Sequence, residues 1–257
     1  MRINLPTKFI INYPKENRKY YNPNQHNKVL KKLLTEASKG YCMYCGNRIV
    51  LGGLNYGQLE HSVEKIQTIP KKDVPYLTHC KYNIAIACSI CNGKYKNTAV
   101  KKLHVNYDYT CNEECTQHCS EYKDNFSNHY DLNKVILMPR GISKNNLQYN
   151  IDFNLINLRY EPGILNYTEA DKTNINFHIN KFDLNGKKRC KDTLIDICTY
   201  VIDNKMIPHK NSSINNIVGE NFIDYLNEIK NSTSMENVLS ICRMILLTFA
   251  MKGKRNK

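Results

Sequence analysis

Cys42-Met-Tyr-Cys45, then Glu60-His61, then Asn83-Ile-Ala-Ile-Ala-Cys88-Ser-Ile-Cys91-Asn92-Gly-Lys94 is the stretch that decides the fold. Each C-x2-C knuckle supplies two thiolates from a tight turn, and zinc prefers four sulfur ligands in a tetrahedron. The two knuckles therefore predict one structural zinc site at Cys42, Cys45, Cys88 and Cys91, pinning strands together; the opposing expectation is a set of buried free thiols. Between and beside the knuckles lie an acid, a histidine and two asparagines, Glu60, His61, Asn83 and Asn92.

Working outward, Val29, Leu30, Leu33, Leu34 and Ala37 follow helical spacing over residues 28–38, and Gly40 supplies a helix stop. Residues 48–51 are β-prone, Gly52-Gly53 is a two-residue hairpin turn, and 54–61 is the return strand, which puts Glu60 and His61 at a strand end. Residues 62–82, with Pro70, Pro75 and Lys71-Lys72, read as a long loop. Residues 82–87 read as a second strand, and Cys88 onward as a knuckle opening a helix, with Asn92 and Lys94 near its N-terminus, a natural anion site. Residues 1–27 read as an extended arm. Downstream, 134–138, 149–157 and 174–182 suggest strands, 191–204 a helix, and Thr233 with Glu236 a capping box ahead of a helix over 235–251. The predicted architecture is α+β: an arm and helix over 1–40, a zinc-stapled module over 41–106, a Cys-containing insertion or linker over 107–131, and a C-terminal α+β region over 132–257.

Composition sets the class of partner. Lys plus Arg number 37 against 23 for Asp plus Glu, a net charge of +14, which favours a polyanion. AT-rich coding would also enrich Lys, Asn, Ile and Tyr, so the motif adds weight that composition lacks. The first 21 residues hold no continuous apolar run of the secretory kind, and the apolar stretch Met244 to Met251 is too short for a bilayer. A cytoplasmic location is expected, where eleven cysteines imply metal ligation or buried thiols instead of disulfides.

The chemistry of Glu60, His61, Asn83 and Asn92 suits phosphodiester hydrolysis. A phosphodiester repels nucleophiles, so a catalyst must activate water and cancel charge on the leaving oxygen. A histidine, neutral near pH 7, can take a proton from water. A glutamate and an amide oxygen suit a hard cation such as magnesium. The bland readings are a surface acid beside a satisfied histidine, and asparagines that merely cap turns.

This set resembles the zinc-stapled branch of the HNH endonucleases, the ββα-metal or His-Me finger fold, over roughly residues 40–98. The resemblance implies His61 as general base, Glu60 and Asn92 as ligands of one catalytic Mg2+ or Mn2+, and Asn83 as the residue that orients the imidazole. Lys94, Lys96 and Lys65 would hold flanking DNA phosphates. Glu64 stands where many relatives carry proline after the catalytic histidine, which predicts a different loop path. A second stretch, Phe177-His-Ile-Asn-Lys-Phe-Asp-Leu-Asn185-Gly-Lys-Lys-Arg189, is similar to the segment following the HNH core in bacterial anti-phage nucleases of the Septu type. It implies a defence effector acting beside a partner ATPase of the SMC or ABC class. The alternatives are a non-catalytic zinc module that binds nucleic acid or scaffolds a complex, and an RNA-directed nuclease. Cys111, Cys115 and Cys119 fall on one helical stripe, where a second metal site and reduced thiols are equally open. His26, His104, His129, His178 and His209 are expected to be structural or exposed.

Overall fold

The computed structural model describes residues 1–13, 26–62, 66–68, 71–73, 83–95, 148–186, 190–210 and 214–255. The chain begins in a strand, β1 (Arg2–Leu5), rather than in the extended arm that its prolines and polar residues suggested. Ile3 and Leu5 alternate inward with Arg2 and Asn4 outward, the period-2 pattern of a half-buried strand. Its partner comes from residue 151 onward, beyond the reach of local sequence.

Helix α1 (His26–Ala37) presents Leu30 and Leu34 to the core. It stops where Lys39 and Gly40 enter positive φ, 54° and 77°, and the Gly40 N–H returns to the Thr35 carbonyl at 2.8 Å, satisfying an end carbonyl of the helix. Strands β2 (Val50–Leu51) and β3 (Leu54–Asn55) pair through Gly52 and Gly53 at φ 55° and 77°, the two positive dihedrals that a tight turn between twisted strands requires. Then β4 (Gln58–His61) runs toward the loop, and β7 (Ile84–Ala87) returns antiparallel to it. The loop between them is not wholly irregular, since β5 (Ile66–Thr68) and β6 (Lys71–Asp73) pair within it. A short, wide-turned helix of π type (Ile90–Tyr95) follows β7 directly.

The C-terminal half holds β8 (Ile151–Asn154) and β9 (Arg159–Pro162), which with β1 form an antiparallel sheet of order β1-β8-β9. Helix α2 (Glu169–Lys181) replaces the strand expected over 174–182. Ile175, Phe177 and Ile179 alternate as a strand would, but Thr168 and Asp171 close a reciprocal capping box, and Ile175, His178, Ile179 and Phe182 fall on one buried helical face. Three further helices, α3 (Cys190–Asn204), α4 (Ile217–Ser232) and α5 (Met235–Arg255), pack on one another, and α4 also lies against β1. Thr233 does not cap α5. It ends α4, its hydroxyl donating to the Ile229 carbonyl, and Ser234 receives the Asn237 N–H in its place.

The architecture is thus mixed helix and sheet, with one continuous apolar core running from β1 through both knuckles to α5. Cys198 and Cys242 are buried thiols in the helical part of that core. No helix among the described residues is long and apolar enough to cross a membrane. The expected strand at 134–138, the insertion with Cys111, Cys115 and Cys119, and His104 and His129 lie outside the described residues.

Candidate functional site

Both knuckles fold as tight turns. In the first, the Cys42 N–H donates to the Asn47 carbonyl at 2.7 Å and the Gly46 N–H to the Cys42 carbonyl at 2.9 Å. Gly46 sits at φ +72°, and a Cβ there would meet Ile217 and Leu5 at 2.8 Å, so both backbone conformation and packing demand glycine. In the second, the Cys91 N–H points at Cys88 Sγ, 3.4 Å away.

The four sulfurs of Cys42, Cys45, Cys88 and Cys91 lie within 4.8 Å of one another, and Cys45 and Cys88 are 3.8 Å apart. That matches the edge of a tetrahedron with Zn–S bonds of about 2.3 Å. Cys42, Cys45 and Cys91 are buried and Cys88 is half-buried. Hydrogen bonding with Cys42 and burial push the Cys45 and Cys91 thiols up, while hydrogen bonds from the other three thiols lower Cys88. A bound dication would favour the thiolate form of these ligands. The set can hold a metal ion such as zinc.

The C-terminal helices grip the first knuckle. Asn216 caps α4 by accepting the Val218 N–H, and its amide donates to the Cys45 carbonyl at 3.0 Å and to Asn47 at 2.8 Å. The Ile217 N–H reaches the Gly46 carbonyl and the Arg48 N–H reaches the Asn215 carbonyl. Arg48 adds a 2.6 Å ion pair with Glu220 and a 2.7 Å bond to the Tyr41 hydroxyl.

Glu60 and His61 lie at a strand end as the sequence predicts, but the return strand expected over 54–61 is split, and they close a separate β4 paired with β7, opposite Ala85 and Ile84. Tyr44, inside the first knuckle, donates its hydroxyl to Glu60 Oε2 at 2.6 Å and lies 3.0 Å from Ser62 Oγ. Residues 60 and 62 therefore share a face of the strand, with Gln58 two residues earlier on that same face, and His61 projects to the other. Gln58 and Glu60 face Ala87 and Ala85 across the pairing. Asn92, from the π-type helix, reaches back over this face and donates its amide to Gln58 Oε1 at 2.8 Å. Asn92 thus contacts β4 at the exposed Gln58, two residues before the buried Glu60.

The pairing continues past His61, which lies opposite Ile84, to the Ser62 N–H, which donates to the Asn83 carbonyl at 2.7 Å. Glu60, His61 and Asn83 are 5%, 6% and 0% exposed, so the end of β4 is enclosed. Lys94 is exposed, its ammonium 5.2 Å from the centre of the Tyr95 ring. The helix carrying it has only six residues, too few for the strong N-terminal dipole expected from the sequence. Lys65, Lys96 and Glu64 lie outside the described residues.

Sequence reasoning missed Tyr44, Ser62 and Gln58, while His178, expected to be structural or exposed, is buried and structural. His178 Nε2 donates to the Tyr44 carbonyl at 3.0 Å from α2, and burial lowers the imidazole from 6.5 to about 4. Its ring and that of Phe182 pack beside Tyr44, with Tyr44 and Phe182 stacked at 4.8 Å and 15°. Gln58 stands two residues before Glu60 in a strand the sequence did predict, which was the one available signal. The Tyr44 and His178 contacts are made across sequence distances no pattern encodes. No protein-family model matches this chain, and neither a curated protein nor a solved structure does.

Proposed function

We propose that the chain is a metal-dependent endonuclease of the HNH type that hydrolyses DNA phosphodiester bonds. The observation that supports this reading is the four-cysteine cluster joining the two knuckles, with Glu60 and His61 at the end of β4 and Asn92 bonded to Gln58 of the same strand. A carboxylate and an amide oxygen are hard donors, the chemistry that suits Mg2+ or Mn2+, and the thiols suit Zn2+. When bound, the hard cation cancels charge developing on the scissile phosphate and the leaving oxygen.

The residues of the chain do the rest. His61, at the last position of its strand, accepts a proton from the attacking water as a neutral imidazole. Asn83, joined to the next residue by the Ser62 backbone bond, holds the histidine end of the strand in place. Lys94, with Lys65 and Lys96, attracts the flanking phosphates, in keeping with a net charge of +14. The products carry 5′-phosphate and 3′-hydroxyl ends. The second sequence resemblance extends the proposal to a prokaryotic anti-phage effector controlled by a partner ATPase of the SMC or ABC class.

Incubating the purified chain with plasmid and Mg2+ or Mn2+, alone and with such an ATPase, tests it. His61→Ala is expected to slow cleavage by about a hundred- to ten-thousand-fold, the usual worth of a general base. Equal cutting by His61→Ala and wild type would remove His61 from that role.

The enclosure of Glu60 and His61, on opposite faces of β4, favours a second reading: a zinc module that binds nucleic acid or scaffolds a complex without cutting it. It predicts salt-sensitive binding and no metal-dependent cleavage. A preference for cutting single-stranded RNA over duplex DNA would keep the chemistry and change the substrate.

A further inference from the structure

We infer that the hairpin carrying Leu51 and Leu54 is an apolar wedge that enters the minor groove of duplex DNA and opens a base step, while the lysines of α1 hold the phosphates beside it. The inference deepens the nuclease reading above and rests on its choice of DNA as substrate.

The hairpin has an inner face and an outer one. Val50 and Asn55, opposite each other in the pairing, turn inward: a Cβ at Gly40 would lie 3.2 Å from Val50, and the Asn55 amide donates to the Thr35 hydroxyl at 2.7 Å. The Lys31 ammonium adds a bond to the Asn55 carbonyl at 3.3 Å. The Tyr56 N–H donates to the Ile49 carbonyl at 2.8 Å and so extends the ladder. Side chains alternate along a strand, and Leu51, its partner Leu54, and Tyr56 therefore share the outer face. They are 44%, 62% and 58% exposed. Between the leucines, a Cβ on Gly52 or Gly53 would meet nothing within 4 Å, so the tip is slim and stands clear of the body. Apolar residues scattered singly over a surface need no explanation, but three on one face of a projecting turn do.

The chemistry around the tip selects the partner. Lys28, Lys31, Lys32 and Thr35 follow the i, i+3, i+4 spacing of one helical side, and Lys31 and Thr35 already touch the hairpin, so the lysines run alongside it. Lys39, in the turn after α1, is exposed, as are Lys28 and Lys32. Glu36 is the one carboxylate on α1, and residues 37–59 contain none. Such a surface suits a polyanion. A protein partner fits less well, since a stable interface buries about 800 Å² on each side and this apolar patch is three side chains. Duplex DNA accepts a wedge that small: leucines pushed between base pairs unstack the step and kink the helix by about 20–90°. The wedge is also within reach of the proposed cut. Leu54 stands seven residues before His61, at most about 25 Å of chain, and one turn of duplex is about 34 Å. One DNA molecule can therefore meet both.

The test uses the full-length, zinc-loaded protein and short duplexes carrying 2-aminopurine, whose fluorescence rises when a step opens, with a dye at each end to report bending by energy transfer. Magnesium and manganese are omitted, so binding is read apart from cleavage. Wild type is expected to raise the 2-aminopurine signal, to bend the duplex, and to bind more tightly where a mismatch has already loosened a step. Leu51→Ser/Leu54→Ser alters only exposed side chains and should keep its zinc and its melting temperature. It should lose the fluorescence rise, the bend and the preference for mismatched duplex, and bind severalfold more weakly with an unchanged salt slope. Lys28→Ala/Lys32→Ala should do the reverse, keeping the fluorescence rise at saturation while reducing the salt slope by about two. If Leu51→Ser/Leu54→Ser opens and bends DNA as wild type does, or if wild type binds duplex without opening it, the wedge is overturned. A wild type that opens duplex but never cuts it with Mg2+ or Mn2+ would keep the wedge and remove the nuclease reading.

Discussion

His178 shows how one buried side chain sets the response of the fold to acid. Its Nε2 must carry the proton, since it donates to the Tyr44 carbonyl, and Nδ1 is left without a partner in the interior. Protonating Nδ1 would place an unpaired charge there, so burial holds the group at about 4 against 6.5 in the open chain. Below pH 6.5 the unfolded chain takes up a proton that the folded one refuses, and stability falls as pH drops through the window down to about 4. Above pH 6.5 the group contributes no pH dependence. The slope from this group approaches one proton, about 1.4 kcal/mol per pH unit. His178→Phe should therefore flatten the stability profile between pH 6.5 and 4 in urea titrations at fixed excess zinc. At pH 7 it should cost about 1–3 kcal/mol, because the Tyr44 carbonyl loses its donor. A slope in the variant as steep as in wild type would show that other groups govern acid sensitivity. The sequence marks His178 only as structural or exposed, and its bond to the first knuckle follows from where α2 packs.

Among the elements, those whose cause is local were legible and those whose cause is distant were not. Gly52-Gly53 specifies its own turn, the C-x2-C pairs specify their own knuckles, and Leu30 and Leu34 mark one face of α1. By contrast, β1 exists only because Ile3 and Leu5 pair opposite Phe153 and Ile151. Helix α2 satisfies strand and helix periods at once, and the Thr168–Asp171 cap decides between them. For the candidate site, the strand end and the four thiols were readable, while the Tyr44–Glu60 bond and the Gln58–Asn92 bond were not. The cap of α4 is the element on which knuckle and helices jointly depend. Asn216→Ala removes the cap, worth about 1 kcal/mol, and strands the Cys45 carbonyl, worth about 1–3 kcal/mol more. The variant is expected to melt several degrees lower and to surrender metal faster to a chromophoric chelator. A drop in melting temperature with unchanged chelation kinetics would mean that α4 braces the core without bracing the thiol cluster.

At the scale of the whole molecule, the thiol cluster lies inside a single apolar core and not in an appended module. Cys42, Cys45 and Cys91 are buried in the same cluster as Ile3 and Leu5 of β1, Ile86 of β7, Phe182 after α2 and Phe222 of α4. The arm, the strand pair and the C-terminal helices therefore share one interior despite their separation in sequence. Four crowded thiols in that interior repel as they ionise, and a dication both neutralises them and closes the loop between residues 45 and 88. Structural zinc sites of this kind contribute on the order of 10 kcal/mol of apparent binding free energy at pH 7, comparable with the whole stability of a domain. Removing the metal should consequently cost more than the knuckles. Native mass spectrometry is expected to find one zinc on Cys42, Cys45, Cys88 and Cys91. Chelation, or Cys88→Ser, should lower the melting temperature by more than 10 °C and loosen strands and helices in one cooperative step. A metal-free chain that melts at the same temperature, or whose helices melt independently of the cluster, would reduce the four cysteines to buried thiols and take the brace from beneath Glu60 and Tyr44.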